Sequence, residues 1–256
     1  MKTERTDLRR PPLPRAALVS DQGRVRSQNQ DACLVDPDRG LFAVADGMGG
    51  HKAGDVAAWL AIRNLPALID TAREKSGPAG LQAAVEQAVV QLSELVHAES
   101  IDDEDLEGMG TTLVLALVSD GTALIVHVGD SRAYLLREGE LGMLTADHCV
   151  AAELIRLGMN PQEAAEHPHG HRLTQAIGIA TRVRPSFAEV EAQAGDRLLL
   201  CSDGLTNMID DDQIAAILAA EPDAQKAGQK LVDAANEAGG RDNISVVVVD
   251  FEEPTG

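Results

Sequence analysis

Five aspartates stand where apolar, strand-like runs begin or end. Asp31 precedes Ala32–Val35, Asp46 follows Leu41–Ala45, Asp130 closes Ala123–Val128, Asp203 follows Leu198–Ser202, and Asp242 precedes Ile244–Val249. Carboxylates at strand ends can converge on one mouth of a sheet, and each pair so gathered repels by about 4 kcal/mol at 4 Å and an effective dielectric of 20. A converged set needs a cation. Oxygen ligands with no Cys or His at ligand spacing nearby select hard ions, Mg²⁺ or Mn²⁺, over Zn²⁺. Two such ions roughly 3.5–4 Å apart would lower the pKa of a shared water and polarise a phosphoryl or carbonyl oxygen, which is hydrolysis without a covalent intermediate. The plain alternative is a set of solvated turns, since Asp-Gly is an ordinary turn pair. Arg26, five residues before Asp31, could aim a planar fork at a phosphate; its plain alternative is a surface arginine.

The elements that would position these groups follow from periodicity and turn chemistry. Residues 16–46 read as three strands separated by Asp21-Gln22-Gly23 and Asp36-Pro37-Asp38-Arg39-Gly40. The second turn is centred on Asp38, midway between Asp31 and Asp46, so an antiparallel hairpin brings those two carboxylates to one open end. Asp203 ends one strand and Asp242 starts the next; if those strands pair antiparallel, these ends coincide too. Helices are expected at about 53–71 and 80–98, the second with an apolar stripe through Leu81, Val85, Ala88, Leu92 and Val96. Runs at 111–118, 123–128, 133–137 and 141–144 read as an antiparallel meander. Residues 148–172 break the pattern with two short helical runs and the loop His167-Pro-His-Gly-His171, and read as an inserted flap. Strands near 185–192 and 196–202, helices near 211–220 and 225–238, and a last strand from Ile244 complete the chain. One domain over 16–253 is expected.

Composition narrows the function. The chain of 256 residues is 44% apolar but holds only one Trp, one Tyr and three Phe, so its core is aliphatic and it lacks stacking platforms for bases or sugars. A net charge of −19 excludes polyanions such as nucleic acid as main partners and suits cations. Three cysteines without a C-x-x-C pair fit a reducing compartment. No apolar run approaches the ~20 residues of a membrane span. Residues 1–15, polar and proline-punctuated, read as a mobile leader and not a signal peptide. A soluble, cytoplasmic monomer is expected.

Six blocks then match a known pattern in its order: Arg26-Ser-Gln-Asn-Gln30-Asp31, Val44-Ala-Asp46-Gly47-Met48-Gly-Gly-His51, Gly110-Thr111-Thr112, Gly129-Asp130-Ser131-Arg132-Ala-Tyr134, Cys201-Ser-Asp203-Gly204-Leu205 and Arg241-Asp242-Asn243. Together they resemble the metal-dependent type 2C serine/threonine protein phosphatases, in their bacterial form. The resemblance implies an α+β fold, a four-layer α/β/β/α sandwich of two antiparallel sheets flanked by helices. It implies two core Mn²⁺ or Mg²⁺ ions and a weaker third. Asp46 would bridge the core ions, Gly47 would offer its carbonyl, Asp203 and Asp242 would complete the first ion's shell, and Asp130 would help hold the third. Asp31 would hold metal-bound water and Arg26 the substrate phosphate. The implied partners are phosphorylated proteins, including a cognate serine/threonine kinase and its substrates.

Three positions depart from that pattern. Gln30 is a neutral amide where animal members carry a glutamate. Met48 stands where the animal general acid is a histidine, leaving a bound water or His51 to protonate the leaving alkoxide. The flap lacks the family's usual His-Pro-x-Arg-Asn. Other readings weighed were a catalytically silent regulatory or phospho-binding module on the same fold and a small-molecule phosphomonoesterase. The C-x5-R spacing of Cys33 and Arg39 formally suggests a cysteine phosphatase, but Pro37 removes a loop N–H and Asp36 and Asp38 repel a phosphate. The histidines 167, 169 and 171 could suggest a metal clip, against which stands a solvated flap.

Overall fold

The computed structural model describes residues 13–49, 53–76 and 80–253. Two antiparallel sheets stack face to face. The first contains β1 (Leu13–Asp21), β11 (Ile244–Glu252), β10 (Arg197–Cys201), β7 (Arg132–Arg137) and β8 (Glu140–Met143), in that spatial order. The second runs β2 (Asp31–Asp36), β3 (Leu41–Met48), β5 (Leu113–Ser119), β6 (Thr122–Val128) and β9 (Ser186–Glu191), with the short β4 (Gly110–Thr111) on the end of β3. Helices α1 (Ala53–Lys75) and α2 (Leu81–Asp102) cover the second sheet, while α6 (Asp211–Ala220) and α7 (Ala224–Glu237) cover the first. The expected four-layer α/β/β/α sandwich is the one found.

Alternation along the central strands divides the aliphatic residues between layers. On β5, Leu113, Leu115 and Leu117 face the α1/α2 layer, and Val114, Ala116 and Val118 face the other sheet. On β11, Val246 and Val248 meet α6 and α7, while Val247 and Val249 fill the space between the sheets. Both faces of these strands are buried, so they read as continuous apolar runs.

That double burial hid the sheet membership. The four runs expected as one meander are two hairpins in different sheets: β5 pairs β6 in one, β7 pairs β8 in the other, and Gly129–Ser131 carries the chain across. Apolar strands covered on both faces carry no mark of which sheet they join. The leader boundary also shifts. Leu13, Pro14 and Arg15 belong to β1, Pro14 lying opposite Phe251, and a proline is tolerated there because β1 is an edge strand. Residues 1–12 lie outside the described residues.

Residues 150–165 form α3 (Val150–Arg156) and α4 (Pro161–Ala165), as the flap reading expected. The two roots of this excursion are hydrogen-bonded: Val150 N–H donates to the Arg172 carbonyl at 2.9 Å, and Thr174 N–H to the His148 carbonyl at 2.8 Å. Among the described residues no helix is long and apolar enough to cross a membrane.

Arg197 locks the first sheet to its helical layer. Its fork grips Asp250 through Nε at 2.5 Å and Nη2 at 2.9 Å, and its other N–H groups reach the carbonyls of Leu218, Glu221 and Pro222 at the end of α6. The side chain is 9% exposed. We expect Arg197→Met to lower unfolding free energy by about 3 kcal/mol, because Asp250 and three carbonyls lose their partner, and Arg197→Lys to recover less than half, lacking the fork. Urea unfolding measures this; a loss under about 1 kcal/mol for Arg197→Met would count against the lock.

Candidate metal centre

The register of the β2/β3 hairpin pairs Asp31 with Asp46 directly, as the turn arithmetic predicted. β10 and β11 pair antiparallel with Cys201 opposite Val246, so Asp203, just past one strand, sits beside Asp242, just before the other. Asp130 lies on the crossing between sheets from β6 to β7, and Arg26 on the one from β1 to β2. All of these ends meet on one cleft of about 510 Å³, lined by Arg26, Asp46, Gly47, Asp130, Asp203 and Asp242 among others. That volume suits a small ligand with its ions. Asp31 lies behind this lining, its Oδ2 accepting from Ser202 Oγ at 2.8 Å.

Asp46 is held at its backbone. Its N–H donates to Thr112 Oγ1 at 3.0 Å, and its carbonyl accepts from Thr112 N–H at 2.9 Å and Thr111 Oγ1 at 2.9 Å. Gly47 comes next because nothing larger fits: a Cβ there would strike the Gly54 carbonyl and come within 2.6 Å of the Gln30 carbonyl. The loop bearing Arg26 is held by the buried Asn243, whose amide donates to the carbonyls of Gln22 and Gln28 and accepts from Gln30 N–H at 2.9 Å. Arg26 itself reaches Asp242 Oδ2 with Nη2 at 2.6 Å.

Electrostatics test whether these groups fit a cation. Burial first, then neighbouring carboxylates, pushes Asp130 up to about 7. Asp31 is also raised to about 7, mainly by burial, with Asp203 and Asp242 adding to it. Asp46 rises well above the usual carboxylate range, through burial and then the charges of Asp31, Asp203 and Asp130, and Asp203 is raised too, by burial and then by Asp242. Asp31 Oδ1 and Asp203 Oδ1 are buried without a hydrogen-bond partner. Paired, partly orphaned, desolvated carboxylates are a good fit to hard divalent ions. Among the described residues no three His, Cys, Asp or Glu side chains are drawn into a closed shell. Gly47 lines the same cleft beside Asp46.

The competing sites fare worse. Burial pushes the Cys33 thiol up to about 12, and Arg39 is engaged by Asp36 at 2.8 Å and Asp70 at 3.0 Å, so C-x5-R forms no phosphate cradle. In the flap, His167 Nδ1 accepts from His169 N–H at 3.2 Å, which occupies a lone pair that a metal clip would use. His51 lies outside the described residues. Sequence reasoning missed the flap's part in the cleft: His171, Arg172, Leu173, Thr174 and Gln175 line it, together with Ile179. It also assigned no role to Thr112, Ser202 or Asn243, although each stands in one of the matching blocks.

Residues 22–244 match the family model "Protein phosphatase 2C". The chain belongs to the protein phosphatase 2C family. It is 41% identical over 237 residues to the serine/threonine protein phosphatase PstP of Mycobacterium tuberculosis, covering 92% of this chain but 45% of that protein, so it spans about half of that relative's length. Protein phosphatase PhpP of Streptococcus pneumoniae is 38% identical over 247 residues, covering 93% of this chain and 97% of PhpP. Among solved structures, the catalytic domain of PstP in complex with 2 manganese ions superposes with a TM-score of 0.81 at 38% identity, covering 93% of this chain and 98% of that one.

Raised carboxyl pKa values predict an inverted stability profile in chelator. Asp31 binds its proton below about 7 when folded but only below about 3.8 when unfolded. Its stabilising contribution is therefore complete below pH 4 and lost as pH rises through 7. In chelator the melting temperature is expected to fall from pH 5 to pH 8, Asp31→Asn to flatten that fall by several degrees, and added Mn²⁺ to reverse it. Equal slopes in both proteins would remove Asp31 from the account.

Proposed function

We propose that this chain is a serine/threonine protein phosphatase that hydrolyses phosphoserine and phosphothreonine by direct attack of water on phosphorus. The observation that carries the reading is the meeting of Asp46, Asp130, Asp203, Asp242 and Arg26 on one cleft, with Asp203 Oδ1 there and Asp31 Oδ1 behind it left without partners. In this reading Asp46, the Gly47 carbonyl, Asp203 and Asp242 hold two Mn²⁺ or Mg²⁺ ions, and Asp130 with Asp203 helps hold a weaker third. When bound, such ions supply a water acidic enough to be a nucleophile near neutral pH and offset charge building on the phosphoryl group.

The protein's own groups divide the remaining work. Arg26, half exposed and now resting on Asp242, swings its fork to the substrate phosphate and orients it. Asp31, anchored by Ser202, turns Oδ1 toward the attacking water and aligns it by accepting its hydrogen. As the attacking water forms its P–O bond it gives up a proton, the P–O bond to the serine or threonine breaks, the leaving oxygen takes up a proton so that the free hydroxyl forms, and the phosphate leaves as product. Residues 13–253 act as one catalytic domain. The partners in this reading are phosphorylated proteins, among them a serine/threonine kinase and its substrates, and the chain works as a cytoplasmic monomer.

Hydrolysis of an aryl phosphate and of a phosphothreonine peptide tests the reading. Turnover is expected with Mn²⁺, to vanish with chelator and to survive thiol alkylation. Asp46→Ala and Asp203→Ala should each lower kcat at least about a thousandfold, the loss of several kcal/mol of transition-state stabilisation. Arg26→Ala should mainly raise KM, by about tenfold. A full-rate Asp46→Ala enzyme, or activity that survives chelation and dies on alkylation, would falsify the proposal.

A further inference from the structure

The loop that carries Asp130 is gripped by a side chain that the chemistry above does not use. His148 meets Gly129 twice. Its backbone N–H donates to the Gly129 carbonyl at 2.9 Å, and its ring Nδ1 accepts the Gly129 N–H at 3.2 Å. With Nδ1 acting as acceptor, the neutral ring carries its proton on Nε2, which donates to Ser186 Oγ on β9 at 2.9 Å. The ring stacks on His127, centroids 4.6 Å apart and planes 19° from parallel, and His127 is itself fixed to the Ala146 carbonyl at 2.8 Å. Burial, with the His127 neighbour adding to it, lowers His148 to about 4, consistent with a neutral ring.

Gly129 has no slack on its other side. Its φ is +106°, and a Cβ would lie 2.7 Å from Thr112 Cγ2. Thr112 Oγ1, which accepts from Asp46 N–H, also shares a hydrogen bond with Ser131 Oγ at 2.7 Å. The peptide before Asp130 is thus pinned by His148, and the one after it is tied through Ser131 and Thr112 to Asp46. His148 also closes the flap root, its carbonyl accepting from Thr174 N–H and Cys149 bridging Leu173. One residue joins the Asp130 loop to the segment that lines the cleft.

We propose that His148 is a positioning residue for Asp130: its Nδ1 fixes the Gly129 peptide so that the Asp130 carboxylate stays aimed across the cleft toward Asp203, in step with the flap root. This rests on the reading of Asp130 as part of the cation site. Asparagine puts an acceptor near the position of Nδ1, whereas glutamine reaches only toward the place of Nε2. The two replacements therefore separate the Gly129 bond from the Ser186 bond.

The first test is free of metal. In ¹⁵N-labelled protein with chelator at pH 7, the His148 ring should show a bare Nδ1 and a protonated Nε2; the opposite tautomer or a charged ring overturns the inference without any variant. Hydrogen exchange at the Gly129 amide should quicken by about tenfold or more in His148→Gln and stay near wild type in His148→Asn and Ser186→Ala. With Mn²⁺ and an aryl phosphate, His148→Gln should lower kcat by about 10- to 100-fold with KM little changed, and His148→Asn should recover most of it. Unchanged Gly129 protection in His148→Gln, or lost protection with unchanged kcat while Asp130→Ala is crippled, overturns the positioning role and leaves the Asp130 reading intact. A full-rate Asp130→Ala enzyme instead removes the reading of Asp130 itself, whatever the Gly129 amide does.

Discussion

Negative charge held close against its own repulsion is the constraint on which the rest of this structure depends. Asp31, Asp46, Asp130 and Asp203 sit where water is scarce, and both burial and mutual repulsion raise their affinity for protons. No flexible loop would keep them there, because separation would relieve several kcal/mol. The framework must therefore be stiff where they attach. Asp46 has both backbone polar groups bonded to the Thr111-Thr112 segment, and its strand lies between two neighbours in a sheet buried on both faces.

Stiffness comes from the way the chain passes between sheets. The crossings from β1 to β2 and from β6 to β7 both come to the cleft, the first carrying Arg26 and the second Asp130. Short, hydrogen-bonded crossings cannot shift without disturbing two sheets at once. The two halves of the sandwich thus share the task of holding the carboxylates, and Asp203 and Asp242 come from the sheet opposite to Asp31 and Asp46. The flap is attached differently, by a zipped root beside His148, and reaches the cleft with residues from His171 onward.

The legible part of this architecture was local. The position of Asp38 between Asp31 and Asp46 was enough to set the hairpin register, because a tight antiparallel turn relates residues by symmetry about its centre. The strand-end positions of Asp203 and Asp242 were legible from the apolar runs that they bound, while their meeting depended on the antiparallel pairing of β10 and β11 that the fold supplies. Sheet membership was not: β6 and β7 follow each other with an ordinary three-residue turn, yet part into different sheets. Nor could Pro14 announce that it sits on an edge strand, since edge and leader tolerate proline alike.

Residue types and spacings alone therefore determined the chemistry on offer, an ordered set of aspartates with one arginine, together with the hairpin that joins the first pair. Tertiary structure decided which polar residues serve that set. Ser202 meets Asp31 across 171 residues, Asn243 holds the Arg26 loop from more than 200 residues away, and His148 grips Gly129 from the far side of a hairpin. Such partners carry no local signature, because a buried hydroxyl, amide or imidazole has the same neighbours in sequence whether it satisfies itself or steadies a catalytic carboxylate. Only the packing of two sheets, each fixing what the other presents, selects between those roles.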